Sequence, residues 1–225
     1  MELKKTEAIC LRISPWSRTS HVVSWLTPEG LLSTVVKGAE RPKSMFLGQY
    51  DLNYTCELVY YARGFREARA LRECAPLVFR SPLREDWRSM LVSDRFRYLA
   101  GLFAHEGPDA AAWFALLARH LDRLSENAGK PQEKRENLLA LLLDFEIETL
   151  SLGGLRPEIM LSEGSFSLRG ERKMNVSREV VKCISAPLKE KNIQILLDTA
   201  RVIGVFYTFH VEKGVEGRRQ ILQTI

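Results

Sequence analysis

The chain has 225 residues, with 33 Lys and Arg against 28 Asp and Glu, so its length allows one large domain or two small ones. A hydrophobic fraction of 45% and a charged fraction of 27% are ordinary for a soluble, well-packed protein. No apolar run approaches the roughly 18 residues that span a bilayer, and the N-terminus has no apolar signal stretch. We therefore expect a cytoplasmic protein that has no membrane partner.

The excess of positive charge belongs to the two ends of the chain. Residues 1–79 carry 11 Lys and Arg against 8 Asp and Glu, and residues 161–225 carry 11 against 7. Residues 80–160 carry 11 against 13 and are close to neutral. Two basic ends around a neutral middle indicate surfaces that meet an anionic partner.

Alternating segments in the first third of the chain predict five short strands. We place them at residues 7–13, 21–26, 31–36, 52–61 and 67–73, with Ser14-Pro15 ending the first. In the fourth strand one face carries apolar side chains, namely Leu52, Tyr54, Cys56, Leu58 and Tyr60. Five short strands in so few residues are typical of a Greek-key barrel of the OB type.

A basic loop joins the third and fourth predicted strands. It gathers Lys37, Arg41 and Lys43 within residues 37–43, and Pro42 stiffens it. A barrel with such a loop can present cations to a phosphate backbone. Aromatic residues lie nearby, and Arg63 and Arg66 follow. Because many of these rings must fill the barrel core, we expect the cations to make the contact; a merely solvated turn is the alternative interpretation.

Beyond residue 80 the apolar period changes to about 3.6, which predicts an α-helical domain. The first helix starts near Trp87 and ends near Gly107-Pro108, and Asp109 caps a second that buries Trp113. The third helix, Leu138 to Leu150, is apolar on most sides, so we place it at the centre of the bundle. We expect Trp87, Trp113 and this helix to be structural.

The last part of the chain contains an insertion and two further helices. Residues 155–174 lose the helical period and predict an irregular hairpin with turns at Glu163-Gly164 and Arg169-Gly170. Ser177 is a candidate cap for a fourth helix over residues 179–185, and the last helix covers about residues 193–210. Together these elements predict an α+β protein, with an OB barrel over residues 1–79 and a helical domain over residues 80–225.

No constellation for catalysis or metal binding is visible in the sequence. The four histidines are far apart, and the four cysteines form no CxxC pair. Gly38 to Ser44 ends like a phosphate-binding loop, but Lys37 and Pro42 stand where that motif needs glycines. We therefore expect no enzymatic activity, no catalytic residue, no cofactor and no metal.

The segment LTPEGLLSTVVKGAERPKS resembles the N-terminal signature of the RecO family, bacterial recombination mediators of DNA repair. In that family an LT…GLL strand precedes a KGARR-type loop and a serine. The segments LSLGGLRPE and EGRRQIL are similar to a glycine-containing loop and a closing basic motif of the same family. The resemblance implies an OB-like barrel followed by a helix bundle.

The resemblance also implies a function in the nucleoid. Such a protein would bind single- and double-stranded DNA, anneal complementary strands and partner RecR. It would contact the C-terminal tail of single-stranded-DNA-binding protein and so help load RecA. From the basic loop and this resemblance we select a set of DNA-binding candidates: Lys37, Arg41, Lys43, Arg63, Arg66, Arg218 and Arg219.

Two departures from the family pattern are visible. Glu40 stands where the family often has a basic residue, which weakens the charge of the loop. Many members carry a four-cysteine zinc site in the segment that corresponds to residues 155–174, and this chain has no cysteine there. We therefore predict no zinc.

Two other functions remain open from the sequence. The first is a protein-interaction adaptor whose barrel binds a peptide, and the second is an RNA-binding OB protein. A strong salt dependence of oligonucleotide binding would exclude the adaptor. Competition between DNA and RNA of equal length would separate the two nucleic acids.

Overall fold

The computed structural model describes residues 2–62, 68–104, 108–128, 135–155, 159–162, 165–168, 174–215 and 217–225. The chain forms two compact units, each built from two stretches of sequence. The first unit joins Met1–Ser81 with Ala104–Asp122, and the second joins Pro82–Phe103 with Arg123–Ile225. Among the helices of the described residues, none has both the length and the apolar character needed to span a bilayer.

The first unit contains a closed five-stranded barrel, which confirms the predicted OB-like fold. Its strands are β1 (Leu3–Ser17), β2 (Ser20–Thr27), β3 (Gly30–Val36), β4 (Thr55–Tyr61) and β5 (Arg69–Val78). Around the barrel they follow the order β1-β2-β3-β5-β4, and β4 pairs back onto β1. The neighbours are antiparallel except β3 and β5, which run parallel and close the sheet.

The barrel interior is filled by the side chains that strand alternation places on the inner face. Cys56, Leu58 and Tyr60 of β4 are all buried, as predicted from their spacing. Trp25 is fully buried, and its indole N–H donates a 2.9 Å hydrogen bond to Thr34 Oγ1, so its polar atom is satisfied. The inner cluster contains Ala8, Cys10, Val23, Trp25, Val36, Ala39, Phe46, Cys56, Leu58, Tyr60, Leu71 and Cys74.

Three strands, β1, β4 and β5, have boundaries that differ from the prediction. Pro15 does not end β1, because the register with β2 shifts between Pro15 and Ser17, and such an irregularity tolerates a residue that cannot donate to the ladder. The fourth strand begins at Thr55, since Asn53 takes a left-handed φ of 69° in the preceding turn. The fifth strand begins at Arg69 and extends to Val78, beyond the predicted end at Glu73.

Six α-helices are described: α1 (Trp87–Phe103), α2 (Ala110–Asn127), α3 (Arg135–Leu152), α4 (Arg178–Ser185), α5 (Ile193–His210) and α6 (Arg218–Thr224). Short 3₁₀ turns lie at Ser81–Arg84, Pro187–Lys189 and Glu212–Val215. Ser177 caps α4, since its hydroxyl accepts a hydrogen bond from the backbone N–H of Val180, as predicted. Trp113 on α2 is buried as expected. Helix α3 is buried on most of its sides and ends before Gly154, whose φ is 72°.

Two predictions about the helical part are wrong, and one helix was missed. Trp87 is not in the core: it is the first residue of α1 and is 53% exposed. The insertion is a regular three-stranded antiparallel sheet of β6 (Ile159–Ser162), β7 (Ser165–Leu168) and β8 (Met174–Val176). Its predicted turns lie outside the described residues, as does the predicted end of the first helix near residue 107. Helix α6 was not predicted at all.

Candidate nucleic-acid interface

The basic loop after β3 is held against the turn between β1 and β2. The backbone N–H of Gly38 donates to Ser20 Oγ at 3.1 Å, and that of Glu40 donates to the carbonyl of Thr19 at 3.2 Å. Gly38 has a φ of 66°, a conformation that residues with a side chain rarely adopt. These two hydrogen bonds and the conformation of Gly38 therefore fix the start of the loop against the turn between β1 and β2.

Two apolar residues anchor the loop in the barrel, and the cations lie between and beside them. Ala39 is 5% exposed and Phe46 is 8% exposed, and both belong to the barrel's inner cluster. Lys37, Arg41 and Lys43 are exposed. The packing of Ala39 and Phe46 limits the freedom of the loop, so the three predicted cations share one solvent-facing segment of ordered backbone.

Arg41 folds back over the glycine of its own turn. Its backbone N–H donates to the Gly38 carbonyl at 3.1 Å, and its side chain covers the place where a Cβ on Gly38 would lie. Such a Cβ would be 3.1 Å from Arg41 Cδ and 3.2 Å from Nε. The missing side chain of Gly38 therefore makes room for the Arg41 guanidinium group.

Glu40 is held by a hydrogen-bonded chain that runs into the barrel. Its Oε1 lies 2.9 Å from His21 Nε2, and His21 Nδ1 lies 2.7 Å from the hydroxyl of Tyr50. With a neutral imidazole, Nε2–H donates to Glu40 and the Tyr50 hydroxyl donates to Nδ1. Burial, together with nearby thiols and Glu40, raises the pKa of Tyr50, so the phenol stays protonated and available as a donor. The carboxylate of Glu40 thus points to His21.

The other predicted DNA contacts divide into three cases. Arg63 and Arg66 lie outside the described residues. Arg219 is exposed on α6. Arg218 is 5% exposed and faces the interior of the second unit, where its Nη2 lies 2.7 Å from Glu146 Oε2. This geometry speaks against Arg218 as a DNA contact, because its guanidinium group is already paired and shielded from solvent.

The partner of Arg218 also binds a second arginine. Glu146 is fully buried on α3, and its Oε1 accepts a 3.0 Å hydrogen bond from Nη2 of Arg95, on α1. Burial opposes ionisation of Glu146, but the guanidinium groups of Arg218 and Arg95 outweigh it and hold the pKa of the carboxyl below its usual value. Gly204 on α5 lacks the Cβ that would lie 2.6 Å from Arg218 Nη1. The cluster attaches α6 to the helical core.

A second basic surface of the first unit was not among the predicted sites. A cleft of about 390 Å³ is lined by residues that include Lys4, Lys5, Glu29, Tyr60 and Arg69. The Arg69 guanidinium carbon lies 5.5 Å from the centroid of the Tyr60 ring. Lys5 pairs with Glu57 at 2.9 Å, which compensates part of the charge. The cations of β1 and β5 are far apart in the sequence and come together only when the strands pair. No sequence motif could therefore have predicted this cleft.

Comparison with known proteins matches the barrel segment of this chain to one family model. Residues 1–78 match the family model described as "Recombination protein O N terminal". The chain is 34% identical over 123 residues to the "DNA repair protein RecO" of Salinibacter ruber, an alignment that covers 54% of this chain and 47% of that protein.

Two further relatives carry the same description. The Chloroherpeton thalassium protein is 27% identical over 158 residues, covering 68% of this chain and 57% of the relative. The Chlorobium phaeobacteroides protein is 36% identical over 70 residues, covering 31% and 27% respectively. The first two alignments thus span about half the length of the relatives. The chain is thus similar to the RecO family, and the family model matches its N-terminal barrel.

Proposed function

We propose that this chain is a non-enzymatic, DNA-binding recombination mediator that works in DNA repair. The observation that carries the proposal is the basic loop, in which Lys37, Arg41 and Lys43 are exposed on a segment anchored in an OB-like barrel. Among the described residues, no carboxylate forms an ion pair with any of these three side chains. Their charges are therefore available to phosphate groups, and Arg41 can bind one with two parallel hydrogen bonds.

The proposed reaction and partners rest on the similarity to the RecO family. The chain would anneal complementary strands, act with RecR, contact the tail of single-stranded-DNA-binding protein and so assist the loading of RecA at the nucleoid, in the cytoplasm. The three relatives are described as DNA repair proteins, which supports this assignment. A pull-down with RecR from the same source tests the partnership. The expectation of no cofactor and no zinc stays a prediction.

The loop cations should set the salt dependence of DNA binding. Each phosphate neutralised on a single strand contributes about 0.7 to the slope of log affinity against log salt. Replacing Lys37, Arg41 and Lys43 with alanine should flatten that slope by up to about two units while the fold survives. The measurement is fluorescence anisotropy of a labelled single-stranded oligonucleotide over a salt series, with RNA of equal length as a competitor.

A matched control removes the same amount of charge elsewhere. Arg178, Lys182 and Lys189 are exposed cations of the second unit, and their triple alanine variant should keep the wild-type slope. Glu40→Gln keeps the hydrogen-bonding shape toward His21 but removes a negative charge beside Arg41, so it should tighten binding to every sequence equally. If the loop variant keeps the wild-type salt slope, the loop does not bind the phosphates. If the control variant flattens the slope instead, the DNA-binding surface lies in the basic C-terminal third.

A further inference from the structure

Trp16 is the most exposed large apolar side chain in the described part of the chain. Its relative exposure is 66%, whereas Trp25, in the neighbouring strand, is fully buried. An indole that is mostly in water gains only a small part of the burial free energy that a core tryptophan contributes. A ring in this position is better suited to binding a partner than to stabilising the barrel.

The local backbone explains why Trp16 points away from the barrel. Pro15 is opposite His21 and Ser17 is opposite Ser20, so the register of β1 and β2 shifts at Trp16 and leaves it without a partner residue on β2. Such irregularities commonly re-aim a side chain next to a functional site. Ile13, earlier in the same strand, still packs on the barrel's inner cluster.

The surroundings of Trp16 are cationic. Arg12 and Arg18 precede and follow it, and both are exposed. The adjoining turn at Thr19 and Ser20 is the one that receives hydrogen bonds from the basic loop, at 3.2 and 3.1 Å. The exposed indole and the loop cations therefore belong to the same corner of the barrel. The nearby carboxylate of Glu40 is bound to His21.

We propose that Trp16 stacks on an unpaired nucleobase of single-stranded DNA while the basic loop holds the adjacent phosphates; this inference rests on the proposed function. The partner for this corner must combine flat π-faces with closely spaced negative charge. A single strand offers both, since each nucleotide has a base and a phosphate. Met45 and Leu47, which are 63% and 61% exposed in the same loop, extend the apolar surface beside the cations.

Stacking and phosphate binding have different signatures, so the same anisotropy assay can separate them. Trp16→Ala should weaken binding of an oligo-dT strand by roughly 5- to 150-fold, the range expected for the loss of one stacked base. Its salt slope should stay unchanged, because stacking releases no counterions. Trp16→Phe should retain most of the affinity. Trp87→Ala, which removes another exposed indole from the second unit, should have no effect.

Two further ligands test whether a base is the occupant. The first is a strand of the same length that carries abasic sites, and the second is a duplex whose bases are paired. Trp16→Ala should bind both with wild-type affinity. A loss of equal size on these ligands would overturn stacking, because the indole would then act by supporting the loop. Unchanged binding of Trp16→Ala to oligo-dT would also overturn it and would point to a protein partner at this surface.

A spectroscopic readout covers the case in which Trp16→Ala does not fold. Oligo-dT should quench tryptophan fluorescence of the wild type, and this quenching should disappear in Trp16→Phe at saturating strand concentration. Quenching that persists in Trp16→Phe contradicts the inference. A wild-type chain that binds no single strand at all would overturn the proposed function and the stacking with it, whereas normal binding without a contribution from Trp16 overturns the stacking alone.

Discussion

At the residue scale, the buried cluster of Arg95, Glu146 and Arg218 is the strongest electrostatic feature of the second unit. One carboxylate with no exposed area binds two guanidinium groups, which are themselves almost fully buried. Removing the carboxylate would leave both positive charges uncompensated in a region of low dielectric constant. Glu146→Gln should therefore lower the free energy of unfolding by about 3–5 kcal/mol, measured by urea denaturation at neutral pH.

The stability difference between wild type and Glu146→Gln should depend on pH, and its sign follows from the direction of the pKa shift of Glu146. The pKa of Glu146 is lower in the folded chain than its ordinary value, so the stabilisation is complete above the ordinary glutamate range and is lost as the pH falls through the folded pKa. The gap between wild type and Glu146→Gln should thus narrow in acid. As a control, Arg201→Ala breaks the exposed pair with Asp198 and should cost under about 1 kcal/mol. A Glu146→Gln variant as stable as wild type would show that the cluster contributes little.

The sequence indicated some of these residues and misjudged others for a simple reason. Lys37, Arg41 and Lys43 could be selected because neighbours in a short loop share an environment. The role of Arg218 could not, because its partner Glu146 lies 72 residues away and a closing Arg-Arg pair looks like an exposed basic motif. Trp87 was misplaced because its spacing fits the apolar period of α1, whereas the structure leaves this first residue of the helix exposed.

At the element scale, the turn that starts the basic loop depends on glycine for two separate reasons. Gly38 and Gly48 both have left-handed φ angles, 66° and 74°, so alanine at either position should be strained by about 1–2 kcal/mol. Only at Gly38 would the new Cβ also press on the Arg41 side chain, whereas a Cβ on Gly48 would meet nothing within 4 Å. Gly38→Ala should therefore weaken DNA binding as well as stability.

Gly48→Ala serves as the matched control for this prediction. It should lower the melting temperature by a similar amount but leave DNA affinity at the wild-type level, in the same anisotropy assay. Equal losses of affinity in both variants would mean that general loosening of the loop, and not the position of Arg41, controls binding.

Helix α3 is the structural centre of the second unit. Leu142 has no exposed area, and truncation of a fully buried leucine removes its transfer free energy and leaves a cavity. Leu142→Ala should therefore cost about 2–5 kcal/mol of stability. Below its melting temperature the variant should bind DNA like wild type. Loss of DNA binding with an unchanged melting temperature would contradict this structural role.

Elements long enough to show an apolar period could be predicted from the sequence, whereas short elements could not. Helix α5 has a continuous apolar period, and it matches the predicted span of residues 193–210. Helix α6 has seven residues, too few to show a period, and depends on the buried Arg218 for its place. The three strands after α3 have three or four residues each, so their alternation is too short to recognise.

At the scale of the whole molecule, net charge counted along the chain differs from charge available at the surface. The basic third from residue 161 onward includes Arg218, whose charge is compensated by Glu146 from the near-neutral middle third. In the first third, by contrast, Lys37, Arg41 and Lys43 keep their charge exposed. Among the described residues, burial therefore removes Arg218 from the charge available at the surface but leaves these three loop cations exposed.

This distribution leads to a prediction about strand annealing. Two complementary strands repel each other until protein neutralises phosphates on both. If one chain binds one strand through its basic loop, both strands must carry protein, and at limiting concentration the annealing rate should rise with the square of the protein concentration. A loop variant that binds about tenfold more weakly should then anneal about a hundredfold more slowly, since mass action acts on each strand.

The measurement is the quenching of a fluorophore on one strand by an acceptor on its complement. Wild type, the Lys37, Arg41 and Lys43 triple variant, and the Arg178, Lys182 and Lys189 control are compared across a protein titration. The control should anneal at the wild-type rate, because its missing cations lie outside the barrel unit. A first-order dependence on protein would instead mean that one chain holds both strands. In that case the loop variant should lose annealing only in proportion to binding, and cations beyond the loop must engage the second strand.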